Sequence, residues 1–511
     1  MTTRRAFALA LAAGIAAGAL PVAAVNLNPN GMGQVLIYPY YTVSAGQQTL
    51  LSVVNTAIVG RVLKVRFREA YNGRVVMDFN LYLSPYDVWT ANVFALSDAG
   101  FIGDLAGIFT TDRSCTDPAL SASGTLGNDS RFASFSHDNY TGASADTGPE
   151  GDSRTREGHV EMILMSDVTP GSPLAKDIIH ANGKPLDCTA AHLESATGYA
   201  PPTSDPRSGL PAARADGGLF GSAAIVDVEQ GAFYAYNADA LDGFSYKSLY
   251  TPPGDLQPTL ASVNDRDNPQ NATARVFADG EMLVATYPGT AAGSRAVDAV
   301  SAVFAVDSVY NEFVAAPNDA IGTDWVLTFP TKHLYVDAQP GGAIKNTSVA
   351  GAPFDELFGA RYSGASCLTQ EPAVYNLFDR EENAFAQGGC GFGVCPPNPG
   401  WDVKLCLETN VLAFSYPSVL RSQLVSHSTI LDTFASAGWL RWDMAQPGHQ
   451  LYPASNGNTF HGLPLTGFAA TRFVNGIVAI SGGAHALANY TGVNRHRVTT
   501  ACTNGADDIC K

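Results

Sequence analysis

His159-Val-Glu161 places an imidazole and a carboxylate two residues apart inside an apolar run, Gly158 to Met165. On a strand alternate residues share a face, so the two would stand side by side and could bind a metal or exchange a proton. The pair has no third partner nearby in sequence, and solvent-facing strand residues account for it equally well. Asp265-Arg-Asp-Asn-Pro-Gln-Asn271 is the best metal candidate, because Asp265, Asp267 and Asn271 could offer hard oxygens to Ca²⁺. It lacks the Gly and closing Glu of an EF-hand loop, so a solvated loop is the default and calcium is the one cofactor suggested. Cys390-x4-Cys395 with Cys406 could hold zinc, but no His lies nearby. Gly243-Phe-Ser-Tyr-Lys247 sets Ser245 only two residues from Lys247, without the helical spacing of a Ser-x-x-Lys nucleophile. Asp379-Arg-Glu-Glu382 is dense in acid, yet 47 acidic residues give many accidental pairs, and no glycosidase pair stands out. Trp439 and Trp442 would face opposite sides of one strand, so only one could offer an exposed platform for a sugar ring.

The chemistry must be set in its compartment. Residues 1–24 read as a signal peptide: Arg4-Arg5, then Ala8 to Leu20 without a charge, then Val22 and Ala24 at a cleavage site. Thr3-Arg-Arg-Ala-Phe7 suits a twin-arginine signal, and an ordinary Sec signal fits as well. The expected location is the periplasm, the cell surface or the medium, where disulfides persist. The even set of Cys115, Cys188, Cys367, Cys390, Cys395, Cys406, Cys502 and Cys510 suits a disulfide framework. The spacing favours Cys115 with Cys188 and Cys502 with Cys510, leaving the other four to pair among themselves. A net charge of −17 repels phosphate backbones and argues against nucleic acid as a partner. No uncharged stretch long enough for a membrane helix follows the leader.

Only 15% of residues are charged, and polarity comes instead from Asn, Ser, Thr and 50 glycines, as in a β-rich exported protein with many turns. Residues 34–93 alternate over five short strands, with Tyr71-Asn72-Gly73 as a hairpin turn and Trp89 as a core residue. Residues 103–157 read as a long excursion pinned by Cys115. A short helix is expected within Pro170 to Ala181, a surface loop over 198–217, and a strand pair from Gly221 to Tyr236. Residues 251–275 look like a linker. Ala296 to Val314 fits a helix or strands, and Trp325–Phe329 and His333–Val336 read as strands. A knotted loop spans 385–402, and closing strands lie within 411–416, 438–442, 468–473 and 477–481. The expected fold is all-β: two immunoglobulin-like antiparallel β-sandwich domains, 25–250 and 276–511, with long disulfide-pinned loops and a few short helices.

Gln34-Val-Leu-Ile-Tyr-Pro-Tyr-Tyr-Thr-Val43, Val53-Val-Asn-Thr56, Lys64-Val-Arg-Phe67 and Leu83-Ser-Pro-Tyr-Asp-Val-Trp89 resemble a family of exported proteobacterial proteins of unassigned activity. Thr323-Asp-Trp-Val-Leu-Thr-Phe-Pro-Thr-Lys332 and Leu463-Pro-Leu-Thr-Gly-Phe-Ala-Ala470 extend the resemblance along the whole chain. It implies an exported β-rich protein and carries over no catalytic residues. Export, low charge, loop-rich sandwiches and the lack of a catalytic motif point to a non-enzymatic structural or adhesive protein. Its expected partners are envelope proteins or glycans, and strand edges could support self-association. The alternative is a secreted hydrolase acting on polysaccharide through an Asp/Glu pair in the loops. A third option, a cofactor-carrying twin-arginine substrate, would need a buried His, Cys and Asp cluster.

Overall fold

The fold was analysed from a computed structural model. It describes residues 24–122, 126–127, 129–146, 148–189, 217–288, 294–315, 321–336, 353–354, 374–386, 405–414, 417–425, 436–479, 485–505 and 509–510. The leader, Cys367, Cys390 and Cys395, most of the 198–217 loop and most of the 385–402 loop lie outside the described residues.

Alternation of side chains builds two facing sheets in the N-terminal half. The first runs, in spatial order, Asn26–Leu27, Asp239–Asp242, Val35–Thr42, Glu157–Asp167, Arg61–Glu69, Val75–Leu83 and Cys115–Asp117. The second runs Ala232–Asn237, Leu219–Asp227, Gln48–Asn55, Val88–Ala95, Ala106–Thr110, Arg131–Ser134 and Ser121–Ala122. Neighbours within both sheets pair antiparallel, as an all-β sandwich requires. Leu63, Val65 and Phe67 from one sheet meet Leu51, Val53, Trp89 and Val93 from the other in the core. The turn at Tyr71-Asn72-Gly73 forms where expected, with Gly73 at φ 67°. The 103–157 region is more than an excursion, since it gives one strand to the first sheet and three to the second.

The C-terminal half adds a four-stranded sheet, in the order Thr409–Ala413, Gly322–Thr328, Thr466–Ala479 and His485–Arg495. Both of its faces are covered. Val326, Val411, Phe468 and Ala470 join the core of the N-terminal sandwich. Trp325, Leu327, Leu412 and Ala469 face a separate core with Leu440 and Trp442. Those last two come from a five-stranded sheet ordered Ala384–Ala386, Val374–Asp379, Ala437–Asp443, Ser308–Val314 and Arg497–Thr499. One core therefore runs through both halves. Residues 251–263 are strapped across the first sheet, with Leu260 and Val263 buried. From Asn271 the chain is already the strand Asn271–Ala278 of a hairpin with Glu281–Pro288.

The ambiguous stretch at 296–314 is both structures in turn: helix Ser294–Phe304, then strand Ser308–Val314. The expected short helix is Pro173–Ile178, capped by the Ser172 side chain. His333–Val336 is not a strand but one helical turn, closed by the Val336 amide on the Lys332 carbonyl. The Tyr335 hydroxyl holds it from outside, donating to Asp298. Cys115–Cys188 and Cys502–Cys510 are disulfides, and Cys406 is also disulfide-bonded. Cys406 is thus withdrawn from the zinc alternative.

Candidate functional site

The strand Arg61–Glu69 sends Leu63, Val65 and Phe67 inward, so Lys64, Arg66 and Arg68 must lie on the outer face of the first sheet. His159 and Glu161 are on the neighbouring strand, opposite Arg68 and Arg66, and share that face. Side by side they are, as the sequence predicts, but they do not face solvent. All five side chains are buried, because the rest of the chain covers this face. The 251–263 strap accepts Lys64 through the Pro252 carbonyl at 2.9 Å, and Arg66 through the Pro258 carbonyl at 2.9 Å. The C-terminal half brings His333 from its helical turn and Glu408 from the start of a strand.

The result is a sealed group of two histidines, two glutamates and an arginine. Arg68 Nε lies 2.9 Å from Glu161 Oε2. His159 Nε2 stands 3.7 Å from Glu161 Oε1 and 3.8 Å from Glu408 Oε1. His333 Nδ1 is 2.6 Å from Glu408 Oε1. Burial alone would raise Glu161, but the Arg68 guanidinium, helped by His159 and His333, holds it well below the usual carboxylate range. Burial pushes Glu408 far up, against the pull of Arg68, and pushes His159 and His333 down. Arg68 with Glu161 is the ion pair of the group, and burial favours the neutral forms of His159, His333 and Glu408 beside it. Glu408 and His333 are joined by that one short hydrogen bond. Among the described residues no set of three or more His, Cys, Asp or Glu has the arrangement of a metal centre.

A second knot closes the same end of the sheet. Arg154 pairs with Glu69 at 2.9 Å and with Asp146, and its guanidinium covers the Tyr140 ring at 4.3 Å. Glu69 also accepts the backbone amides of Tyr71, Asn72 and Arg74, so the hairpin turn and the 103–157 region are tied by one carboxylate.

The Asp265–Asn271 segment closes as a turn, the Asp265 amide donating to the Asn271 carbonyl at 2.9 Å. Asp265 accepts both the Thr273 amide, at 2.7 Å, and its hydroxyl, at 2.6 Å. Asp267 is exposed, and Asn271 opens a strand. Ser245 hydrogen-bonds Lys247 through the backbone, with no contact that would activate it. Asp379 accepts from Asn383 and from the Glu381 amide in an exposed turn.

Open space is found elsewhere, on the outer face of the second sheet. Asn237, Ser222, Ser52 and Thr90 align across four strands, and Ala235, Ala224, Leu50, Asn92 and Phe109 align in the next row across five. Small side chains in both rows leave a groove of about 700 Å³. Phe233, 55% exposed, and Phe109 stand at its sides. Ser52 and Ser222 share a hydrogen bond at 3.1 Å. Asn92 gives its amide to Gln48 at 2.6 Å, while its Oδ1, buried at the groove, has no hydrogen-bond partner. The described lining contains no acid, histidine or cysteine. A smaller cleft of about 320 Å³ contains one carboxylate, Asp239, which is paired with Arg495 at 2.7 Å. Nothing in the sequence points to the groove, because its floor of Ala, Ser, Thr, Asn and Leu carries no motif.

Comparison of the chain with family models, with curated proteins and with solved structures gives no match in any of the three.

Proposed function

We propose that this chain is an exported, non-enzymatic structural or adhesive protein that binds neutral glycans through the groove on its second sheet. The observation that carries the reading is the groove's chemistry. It offers aromatic walls, a row of hydroxyls and amides, and the unpartnered Asn92 Oδ1, and its described lining contains no carboxylate, imidazole or thiol to activate those hydroxyls. Pyranose rings stack on aromatic faces and present hydroxyls that satisfy such groups. A polysaccharide hydrolase would need two carboxylates about 5–10 Å apart in an open cleft. The large groove has none among its described lining residues, and the small cleft has one, already paired. The resemblance to exported proteobacterial proteins and the disulfides support export.

The test is calorimetric titration with neutral hexasaccharides, comparing the native chain with Ser222→Phe, which fills the groove from an exposed position. The reading expects saturable binding without turnover, weakened at least tenfold by the substitution. Release of shorter sugars, or equal binding by both proteins, would overturn it.

A further inference from the structure

The described tryptophans other than Trp439 are buried. Trp89 and Trp325 are fully so, and Trp442 nearly so, whereas Trp439 is 39% exposed. Trp439 and Trp442 belong to one strand of the five-stranded sheet, and alternation sends Trp442 into the core with Leu440 while Trp439 faces out. Leaving so large an apolar ring in water costs burial energy that the other tryptophans collect. The ring is nevertheless held rigidly. Phe378 on the adjacent strand stacks on it, with ring centroids 4.3 Å apart and planes 13° from parallel.

The rows around this pair are polar in a regular way. Glu312, Trp439 and Phe378 align across three strands. The next outward row is Arg497, Tyr310, Arg441 and Asn376. Rows on one face are two residues apart, about 7 Å. That distance puts the guanidiniums and the amide within reach of hydroxyls on a sugar ring stacked over the aromatic pair, or on the ring next to it. Arg441 lies over the Tyr310 ring at 5.8 Å and donates to Ser308 at 3.3 Å, while its Nε has no partner. Within these strands Glu312 and Asp443 balance Arg441 and Arg497, and the acidic turn Asp379–Glu382 adjoins Phe378, on a chain of −17. Balanced charge offers a polyanion no local attraction, while the field of the whole chain opposes it. A polycation would meet two arginines. An uncharged polyhydroxyl ligand matches what is left.

We propose that this face is a second binding site for a neutral oligosaccharide. Trp439 and Phe378 form the stacking platform, and Arg441, Asn376 and Glu312 are the hydrogen-bonding groups. It shares the ligand class of the groove reading but none of its residues, and the two sites would let one chain bridge two glycan strands or grip one twice.

The experiment titrates the full chain with cellohexaose, maltohexaose and N-acetylchitohexaose, following calorimetry and tryptophan emission in the native protein, Trp439→Ala, Trp439→Phe and Ser222→Phe. At least one sugar is expected to shift the emission. Trp439→Ala should lower that site's affinity tenfold or more. Trp439→Phe should keep most of the affinity and lose the emission shift. Ser222→Phe should leave the shift intact, so a failure of the groove reading is read separately from a failure of this one. Native-like affinity and emission changes in Trp439→Ala would overturn the proposal, as would no emission change with any of the three sugars. A dimer that dissolves in Trp439→Ala without any sugar effect would also overturn it, assigning the face to a second copy of the chain.

Discussion

The buried cluster and the outer groove divide the attributes of an active site between them. The cluster holds the residues that do chemistry, His159, Glu161, His333 and Glu408, and no described member of it reaches solvent. The groove has the space, about 700 Å³, and none of the chemistry. Burial in the cluster favours the neutral forms of His159, His333 and Glu408 and keeps Glu161 charged only beside Arg68, because isolated charges in a low-dielectric interior are expensive. Residues that look catalytic by type are therefore a clamp between the two halves of the molecule, and residues that look bland form the surface a ligand could use.

This division can be broken experimentally, and the largest effect should come at the clamp. Glu161→Ala strands the buried Arg68 charge and should cost about 3–5 kcal/mol in urea unfolding. At temperatures where the variant stays folded, sugar affinity should be unchanged. Lost affinity in a folded variant would mean that the cluster serves the binding site, and the contrast would fail.

Two buried groups of the C-terminal half should shape the pH dependence, with opposite signs. Burial raises Asp324 to about 6, despite hydrogen bonds from Ser418 and the Leu420 amide. The native state favours its protonated form, so the stability this gives is complete below about pH 4 and is lost as pH rises through 6. The difference is about 3 kcal/mol, and Asp324→Asn should abolish that slope. His496 runs the other way. Burial lowers it to about 4, and it stays neutral in the native state. Its stability is present above about pH 6.5 and is lost as pH falls towards 4, again by about 3 kcal/mol. His496→Gln should flatten the acid limb. Unfolding curves of both variants across pH 4–8 check the pair.

A smaller effect sharpens the account of the clamp. Burial favours the neutral form of Glu408 in the folded protein, so Glu408→Gln should change stability at pH 5 by less than about 1 kcal/mol. The native protein should then lose ground to the variant as pH rises, because the native Glu408 comes under growing pressure to ionise while buried. A loss of several kcal/mol at pH 5 would show that Glu408 is charged there. Smallest of all should be Ser222→Phe, which sits on an open face and should shift the unfolding midpoint by no more than about 0.5 kcal/mol while removing groove binding. If it unfolds the protein, the groove is part of the core and not a free surface.

Much of the fold was legible because alternation is a local signal. The strands of residues 34–93, the turn at Gly73, the Cys502–Cys510 pair and the opposed faces of Trp439 and Trp442 could all be read from neighbours in sequence, and Cys115 with Cys188 from their isolation in the N-terminal half. The His333–Val336 turn could not. Its β-prone composition suits a strand, and it is held as a helical turn by partners distant in sequence, Tyr335 by Asp298 and Ser301 and His333 by Glu408. Residues 251–263 misled for a related reason. Prolines and acids suggest a linker, but their backbone carbonyls join Asp78 in satisfying buried Lys64 and Arg66.

By itself the sequence determined which side of each strand a residue takes, since the period of two is set by backbone geometry. That was enough to put His159 beside Glu161, and Lys64, Arg66 and Arg68 together on one face. It could not determine what lies over that face. His333 and Glu408 arrive from about 170 and 250 residues further along the chain, and only packing of the two halves turns a row of apparent surface charges into a sealed group. The groove was decided the same way, when register aligned small side chains of the hairpin Leu219–Asp227 and Ala232–Asn237 with those of two strands more than 100 residues earlier in the chain.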